Sequence, residues 1–153
     1  MVWIIIILGI TSVDQLLKYF VVANIQGGSS LVIIKDFFQL TYVENTGVAF
    51  SIFQNMNYVL IPVMIVISVF VVRFLIKSKS NFMSLSLSFI LGGALGNLID
   101  RIFRGNVVDF LDFQIMGRHF FIFNPADTFI VVGTALLAFY LIFIYKEKDK
   151  ASG

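Results

Sequence analysis

The chain has no cysteine, one histidine and little charge. Without cysteine there is no disulfide, no thiolate metal site and no cysteine nucleophile, and the redox compartment stays open. A lone His119 excludes a histidine-rich metal centre, and no His-Glu-x-x-His motif occurs. Charged residues fill only 13% of the 153 positions, where a soluble domain carries roughly 25%. Hydrophobic residues fill 59%, and the mean hydropathy is +0.96. Such a chain belongs in lipid. The pI near 9.0 could suggest nucleic acid, but the basic residues stand beside apolar runs rather than in a solvated patch. They point to membrane orientation, with no nucleic-acid partner.

A bilayer core needs about 20 helical residues. Four apolar segments are long enough, over about 2–23, 56–76, 82–103 and 126–145. The first has no basic region before it and holds Asp14 and Lys18 within its apolar stretch, so it reads as a retained helix rather than a cleaved leader. Arg73, Lys77 and Lys79 mark the connection between the second and third spans, and Lys146, Lys148 and Lys150 follow the fourth. Those ends are expected in the cytoplasm. An even number of spans puts the N-terminus there too, so residues about 24–55 and 104–125 face outward. No repeat or low-complexity tract interrupts the chain, which reads as one domain over 1–153.

The outer segments are not plain linkers. After the turn-forming Gly27-Gly28-Ser29-Ser30, residues 37–43 are rich in aromatic and β-branched side chains and read as a strand. Asn45-Thr46-Gly47 breaks it, and 48–53 is expected to form a short interfacial helix. In the second outer segment, 107–115 and 119–123 flank Met116-Gly117-Arg118 as a hairpin. Bare strand edges are not tolerated in hydrocarbon. The two segments are therefore expected to pair into a small sheet at the membrane surface.

An ionisable group inside a span costs about 2.5–3.5 kcal/mol on insertion scales, so each one calls for a reason. Asp14 and Lys18 are four apart on one helical face and read as a mutually neutralising pair. In the third span, Gly92 and Gly96 form a small-x-x-x-small surface for close packing. Asn97, Asp100 and Arg101 share a face through their i, i+3, i+4 spacing. They read either as an interfacial Asp–Arg pair with Asn97 bonded across helices, or as a polar site between helices. Asp109 sits in the apolar run Val107-Val108-Asp109-Phe110. Asp112, three residues on, would point to the other face of a strand, so one of the two should face the core and the other solvent. In Phe123-Asn124-Pro125-Ala126-Asp127 the last span begins, with Asn124 suited to the N-cap, Pro125 to N1 and Asp127 to N3. An acid at N3 can simply stabilise a helix start.

Asp109 and Asp127 nevertheless belong to the same outer layer, because Asp109 opens a hairpin whose return strand leads into Asp127. Two carboxylates brought within a few ångströms cannot both ionise, so one holds a proton while the other stays anionic. That pair can split an amide with water, one carboxylate acting as base and the other carboxyl as acid. The dipole at a helix N-terminus suits Asp127 to the anionic role and leaves Asp109 as proton holder.

Five stretches together carry a resemblance: Asp14-Gln15-x-x-Lys18, Asn45-x-Gly47-x-Ala49-Phe50, Gly96-Asn97-x-x-Asp100-Arg101, Val107-Val108-Asp109-Phe110 and Phe123-Asn124-x-Ala126-Asp127. In order and spacing the chain resembles the bacterial lipoprotein signal peptidases (signal peptidase II) over nearly its whole length. The resemblance implies a mostly α membrane protein with four transmembrane helices, a small extracytoplasmic sheet or cradle and a short interfacial helix. It implies an aspartic endopeptidase of the bacterial inner (plasma) membrane that needs no cofactor or metal. Such an enzyme removes signal peptides from diacylated prolipoproteins just before the lipidated cysteine, acts as a monomer, meets membrane lipid and is blocked by globomycin-type inhibitors. Asp109 and Asp127 would be the catalytic dyad. Asn45, Gly47, Asn97, Asp100, Arg101 and Asn124 would line the site, with Asp14 and Lys18 supporting the fold or contacting substrate. Residues 49–53 would act as a mobile flap.

Other readings fit less well. A proton- or ion-coupled transporter would spread its polar residues through the bilayer depth and repeat its halves, and this chain does neither. A non-enzymatic scaffold would tolerate loss of either aspartate. A Ser–Lys protease would need a serine near Lys18, with Ser51 the outer candidate, and a presenilin-like protease would carry a Gly-x-Gly-Asp motif that is absent.

Overall fold

A computed structural model of the chain describes residues 1–28, 30–47 and 54–145. Its elements run α1 (Val2–Ile25), β1 (Leu31–Ile34), β2 (Phe38–Asn45), α2 (Asn57–Lys77), α3 (Asn81–Phe103), β3 (Val107–Ile115), β4 (Arg118–Phe123) and α4 (Pro125–Phe139), the last continuing as a π-helical stretch over Tyr140–Tyr145. The four helical segments, α4 counted through Tyr145, are long and apolar enough to cross a membrane. This matches the expected spans to within two residues at each end. The expected interfacial helix at 48–53, the flap at 49–53 and Lys146, Lys148 and Lys150 lie outside the described residues.

The central helix is α3, which packs against α1, α2 and α4. Its sequence explains the role, because small side chains recur along it and let neighbouring backbones approach. At Gly92 a Cβ would come to 2.9 Å from the Ile10 Cβ of α1, and at Gly96 to 2.5 Å from Asp14 Oδ2. The small-x-x-x-small surface is thus a packing surface against α1. Serines within the spans return their hydroxyls to their own helix, as with Ser86 Oγ on Phe82 O (2.9 Å) and Ser88 Oγ on Ser84 O (2.7 Å). No donor is left facing hydrocarbon at these positions. By contrast, α2 buries only Leu60 and Ser68 and turns most of its Val, Ile and Phe side chains outward, as a lipid-facing helix does.

The two segments expected to face outward pair into one antiparallel sheet of order β1-β2-β3-β4. The β3–β4 turn is two residues, Met116 (φ 53°) and Gly117 (φ 71°). Positive φ at both centres suits the right-handed twist of the flanking strands. One strand was not expected. Leu31–Ile34 is a short apolar run without alternation, exposed at all four positions, and it becomes a strand only because β2 offers it an edge. The sheet is joined to the bundle by Val21 and Ile25 of α1, which pack on Val108 and Phe110 of β3. This places the start of β3 at the end of α1 and beside the start of α4.

Candidate active site

Asn124 caps α4. Its Oδ1 accepts from Asp127 N (2.9 Å), and Asp127 Oδ2 accepts from Asn124 N (3.3 Å), closing a reciprocal capping box with Pro125 at the first helical position. The capping residue has a second role. Its Nδ2 donates to Asp109 Oδ1 (2.7 Å), so the side chain that starts the helix also holds the aspartate of β3. Asn45, at the end of β2, donates through Nδ2 to the other oxygen of Asp109 (2.8 Å), while its Oδ1 accepts from Gly47 N (2.9 Å). Asn97 of α3 donates to Asp127 Oδ1 (2.8 Å). Every oxygen of the two carboxylates therefore has a donor on a defined element.

Beneath them lies a buried charge cluster. Lys18 Nζ is 2.9 Å from Asp14 Oδ2, 2.8 Å from Asp100 Oδ2 and 3.0 Å from Asn97 Oδ1. All three charged side chains are fully buried. Asp100 carries a second cation, Arg104, one helical turn on. Asp14 Oδ1 accepts from Ala126 N (3.1 Å) and Asp100 Oδ2 from Val108 N (3.2 Å). One acid thus grips the first turn of α4, and the other grips the residue before Asp109. Removing Lys18 would leave Asp14 and Asp100 buried with no cation between them and only Arg104 on the far oxygen of Asp100, a loss on the order of 3–5 kcal/mol. Arg101 points elsewhere, with one guanidinium nitrogen donating to Asn57 Oδ1 (2.9 Å) and the other to the Gly47 carbonyl oxygen.

Asp109 is 4% exposed. Burial, and then the charge of Asp127, push its carboxyl up to about 6, against the hydrogen bonds from Asn45 and Asn124 and the charge of Lys18. The carboxyl therefore keeps its proton well above the usual aspartate range.

The structure brings all ten residues singled out in the sequence into one connected network, with Gly47 contributing its backbone. Of the two readings of Asn97, Asp100 and Arg101, the interfacial Asp–Arg pair does not form, because Asp100 pairs with Lys18 and Arg104 and Asn97 bridges to Lys18 and Asp127. One expectation is corrected. Asp112 is not solvated but fully buried, because the face of β3 opposite Asp109 is also covered, at Val108 and Phe110 by α1. Three participants were not singled out. Gln15 reaches Gly96 O (3.0 Å) and Asp100 Oδ1 (3.1 Å), and its position beside Asp14 in the first stretch was the available signal. Arg104 stands four residues after Asp100, a spacing that would have found it. Asn57, at the start of α2, carries no local signal. Among the described residues no three His, Cys, Asp or Glu side chains converge to hold a metal ion.

Comparison with known proteins identifies the family and the fold. The family model for Signal peptidase (SPase) II matches residues 6–143. The lipoprotein signal peptidase of Clostridioides difficile (strain 630) is 43% identical over 98% of this chain and 100% of its own length. That of Halothermothrix orenii is 44% identical over 92% of this chain and 94% of its own. A solved bacterial membrane enzyme, determined by the in meso method at 2.3 Å resolution, is 35% identical and superposes with a TM-score of 0.83 over 92% of this chain and 87% of that one. A second, at 1.9 Å, gives 34% and 0.83 over 94% of each. Matched along nearly its whole length in sequence and fold, this multi-pass membrane protein belongs to the signal peptidase II family.

Proposed function

We propose that the chain is an aspartic endopeptidase that removes the signal peptide from diacylglyceryl-modified prolipoproteins, cutting before the lipidated cysteine. The observation that carries this reading is the meeting of Asp109 and Asp127 on the two sides of one residue, Asn124, with Asp109 tuned to hold a proton. The names of the relatives supply the substrate class.

In the proposed reaction Asp127 is anionic, at the N-terminus of α4 where the helix dipole stabilises negative charge. It takes a proton from water as the water oxygen attacks the scissile carbonyl, and Asp109 gives its proton to the carbonyl oxygen. The proton now on Asp127 passes to the leaving nitrogen as the C–N bond breaks. A proton from the tetrahedral carbon's hydroxyl returns to Asp109, and the dyad is restored. Asn45, Asn97 and Asn124 hold the carboxylates, while Lys18, Asp14 and Asp100 fix the elements that carry them and Arg101 holds the Gly47 carbonyl two residues after Asn45. The enzyme works as a monomer in the bacterial inner (plasma) membrane, with both termini cytoplasmic and the dyad at the outer face. There the acyl chains of the substrate stay in lipid and position the amide through remote binding. Globomycin-type inhibitors are expected to occupy the same site.

The test is incubation of purified protein with a diacylated prolipoprotein and with its unmodified form, followed by mass measurement of the products. Cleavage of the diacylated form alone, at the bond before the modified cysteine, supports the reading. Equal cleavage of both forms, or a cut elsewhere, refutes the substrate assignment.

A further inference from the structure

Asp112 is a fully buried carboxylate that the proposed reaction does not use. It stands on β3 three residues after Asp109 and on the opposite face. Its Oδ2 accepts from Gln39 Nε2 of β2 at 2.6 Å and lies 2.8 Å from His119 Nδ1 of β4. Its Oδ1 is buried without a hydrogen-bond partner among the described residues. A carboxylate in such a place is costly, and an apolar side chain would fill the layer between strands more cheaply. What an apolar side chain cannot do is join three consecutive strands at one oxygen.

Each of those strands delivers one part of the dyad's surroundings. The end of β2 is Asn45, which holds one oxygen of Asp109. Asp109 itself is on β3. The chain of β4 runs directly into Asn124, which holds the other oxygen and caps the helix of Asp127. The backbone ladders between these strands are interrupted. Register shifts occur between Leu40 and Val43 on the β2–β3 ladder, and between Phe113 and Gln114 on the β3–β4 ladder. Both interruptions lie within three residues of the side chains that meet at Asp112. A shift leaves a residue unpaired and the ladder locally disrupted, so a side-chain pin beside each shift adds a cross-strand bond where the backbone makes fewer.

We propose that Asp112 is a positioning residue: with Gln39 and His119 it locks β2 and β4 in register on β3 and so fixes the two asparagine amides that grip Asp109. The inference rests on the proposed role of Asp109. His119 is exposed along much of its side chain, so it can be changed with little loss of packing.

The experiment uses the full chain in detergent, with the variants His119→Ala, His119→Gln, Asp112→Leu and, as control, Asp109→Asn. Turnover of a diacylated prolipopeptide, its pH profile, thermal unfolding and amide hydrogen exchange are read for each. His119→Ala and Asp112→Leu should lower kcat about tenfold with KM kept within about twofold, the size of effect a sub-ångström displacement produces. In both, the alkaline limb of the profile should move to higher pH, because slackened bonds from Asn45 and Asn124 let Asp109 keep its proton longer. Exchange at residues 43–45 and 122–124 should quicken. His119→Gln should recover most of the rate, since its amide can donate to the same oxygen. Unchanged kcat in both deletions, lowered unfolding temperature without a shift in the profile, or no recovery by His119→Gln would each overturn the proposal. If Asp109→Asn cleaves like wild type, the catalytic reading fails instead, and the exchange data still decide whether Asp112 locks the register.

Discussion

At Asp109 the physical chemistry of the site is concentrated in one group. An unfolded chain would give its carboxyl an ordinary value of 3.8, whereas burial and the neighbouring Asp127 hold it at about 6 in the fold. Between those values the folded state binds a proton that the unfolded state has released, so stability falls as pH rises from about 4 to 6 and stays reduced above. Asp109→Asn removes the titration. Wild type should lose up to about 3 kcal/mol of stability between pH 4 and pH 7.5 that the variant keeps, read as a flatter dependence of its unfolding transition on pH. A variant whose stability falls over that range as steeply as wild type would contradict the assigned cause. The same residue shows what the sequence could and could not disclose. Asp109 was legible as a polar group in an apolar run, and Asp127 as a capping acid, because both signals are local. The burial of Asp112 was not legible, since alternation along a strand tells which way a side chain points but not what covers that face.

Among the elements, the four spans could be read from length and apolarity alone, because a bilayer imposes one length on every helix that crosses it. The strands were harder. Residues 107–115 and the β4 run were legible from composition and the Met116-Gly117 turn, but Leu31–Ile34 alternates nothing and borrows its structure from β2. The helix contacts were legible as a glycine spacing but not as partners. Gly96 proves to face Asp14 and Ala126, so it sets the distance between the buried charge cluster and the start of α4. Gly96→Ala places a methyl group 2.5 Å from Asp14 Oδ2, where a buried ion pair cannot yield. It should destabilise the protein by about 1–3 kcal/mol or more and lower activity with it, read as a fall in unfolding temperature in detergent. Gly9→Ala, within α1 with open space around the added carbon, should lower neither, since Ala is the better helix former, and serves as the control.

For the whole molecule, the two carboxylates, their amide partners and the charge cluster gather at one end of the bundle, where α3 ends and α4 begins. The basic α2–α3 connection lies at the other end. That polarity is the reason a composition so poor in charge still specifies a site, and it underlies the proposed orientation. The lack of cysteine makes orientation directly measurable. In intact cells a membrane-impermeant thiol reagent should label Gln26→Cys, at the end of α1 proposed to face outward, and should spare Ser78→Cys until the membrane is opened. The reverse pattern would place the dyad on the wrong side. If Asp109 and Asp127 act as one proton-sharing pair, single-turnover cleavage of a diacylated prolipoprotein should fall at least about a hundredfold in both Asp109→Asn and Asp127→Asn, each confirmed folded, the scale of a missing acid or base. Wild-type turnover by either variant would contradict that pairing.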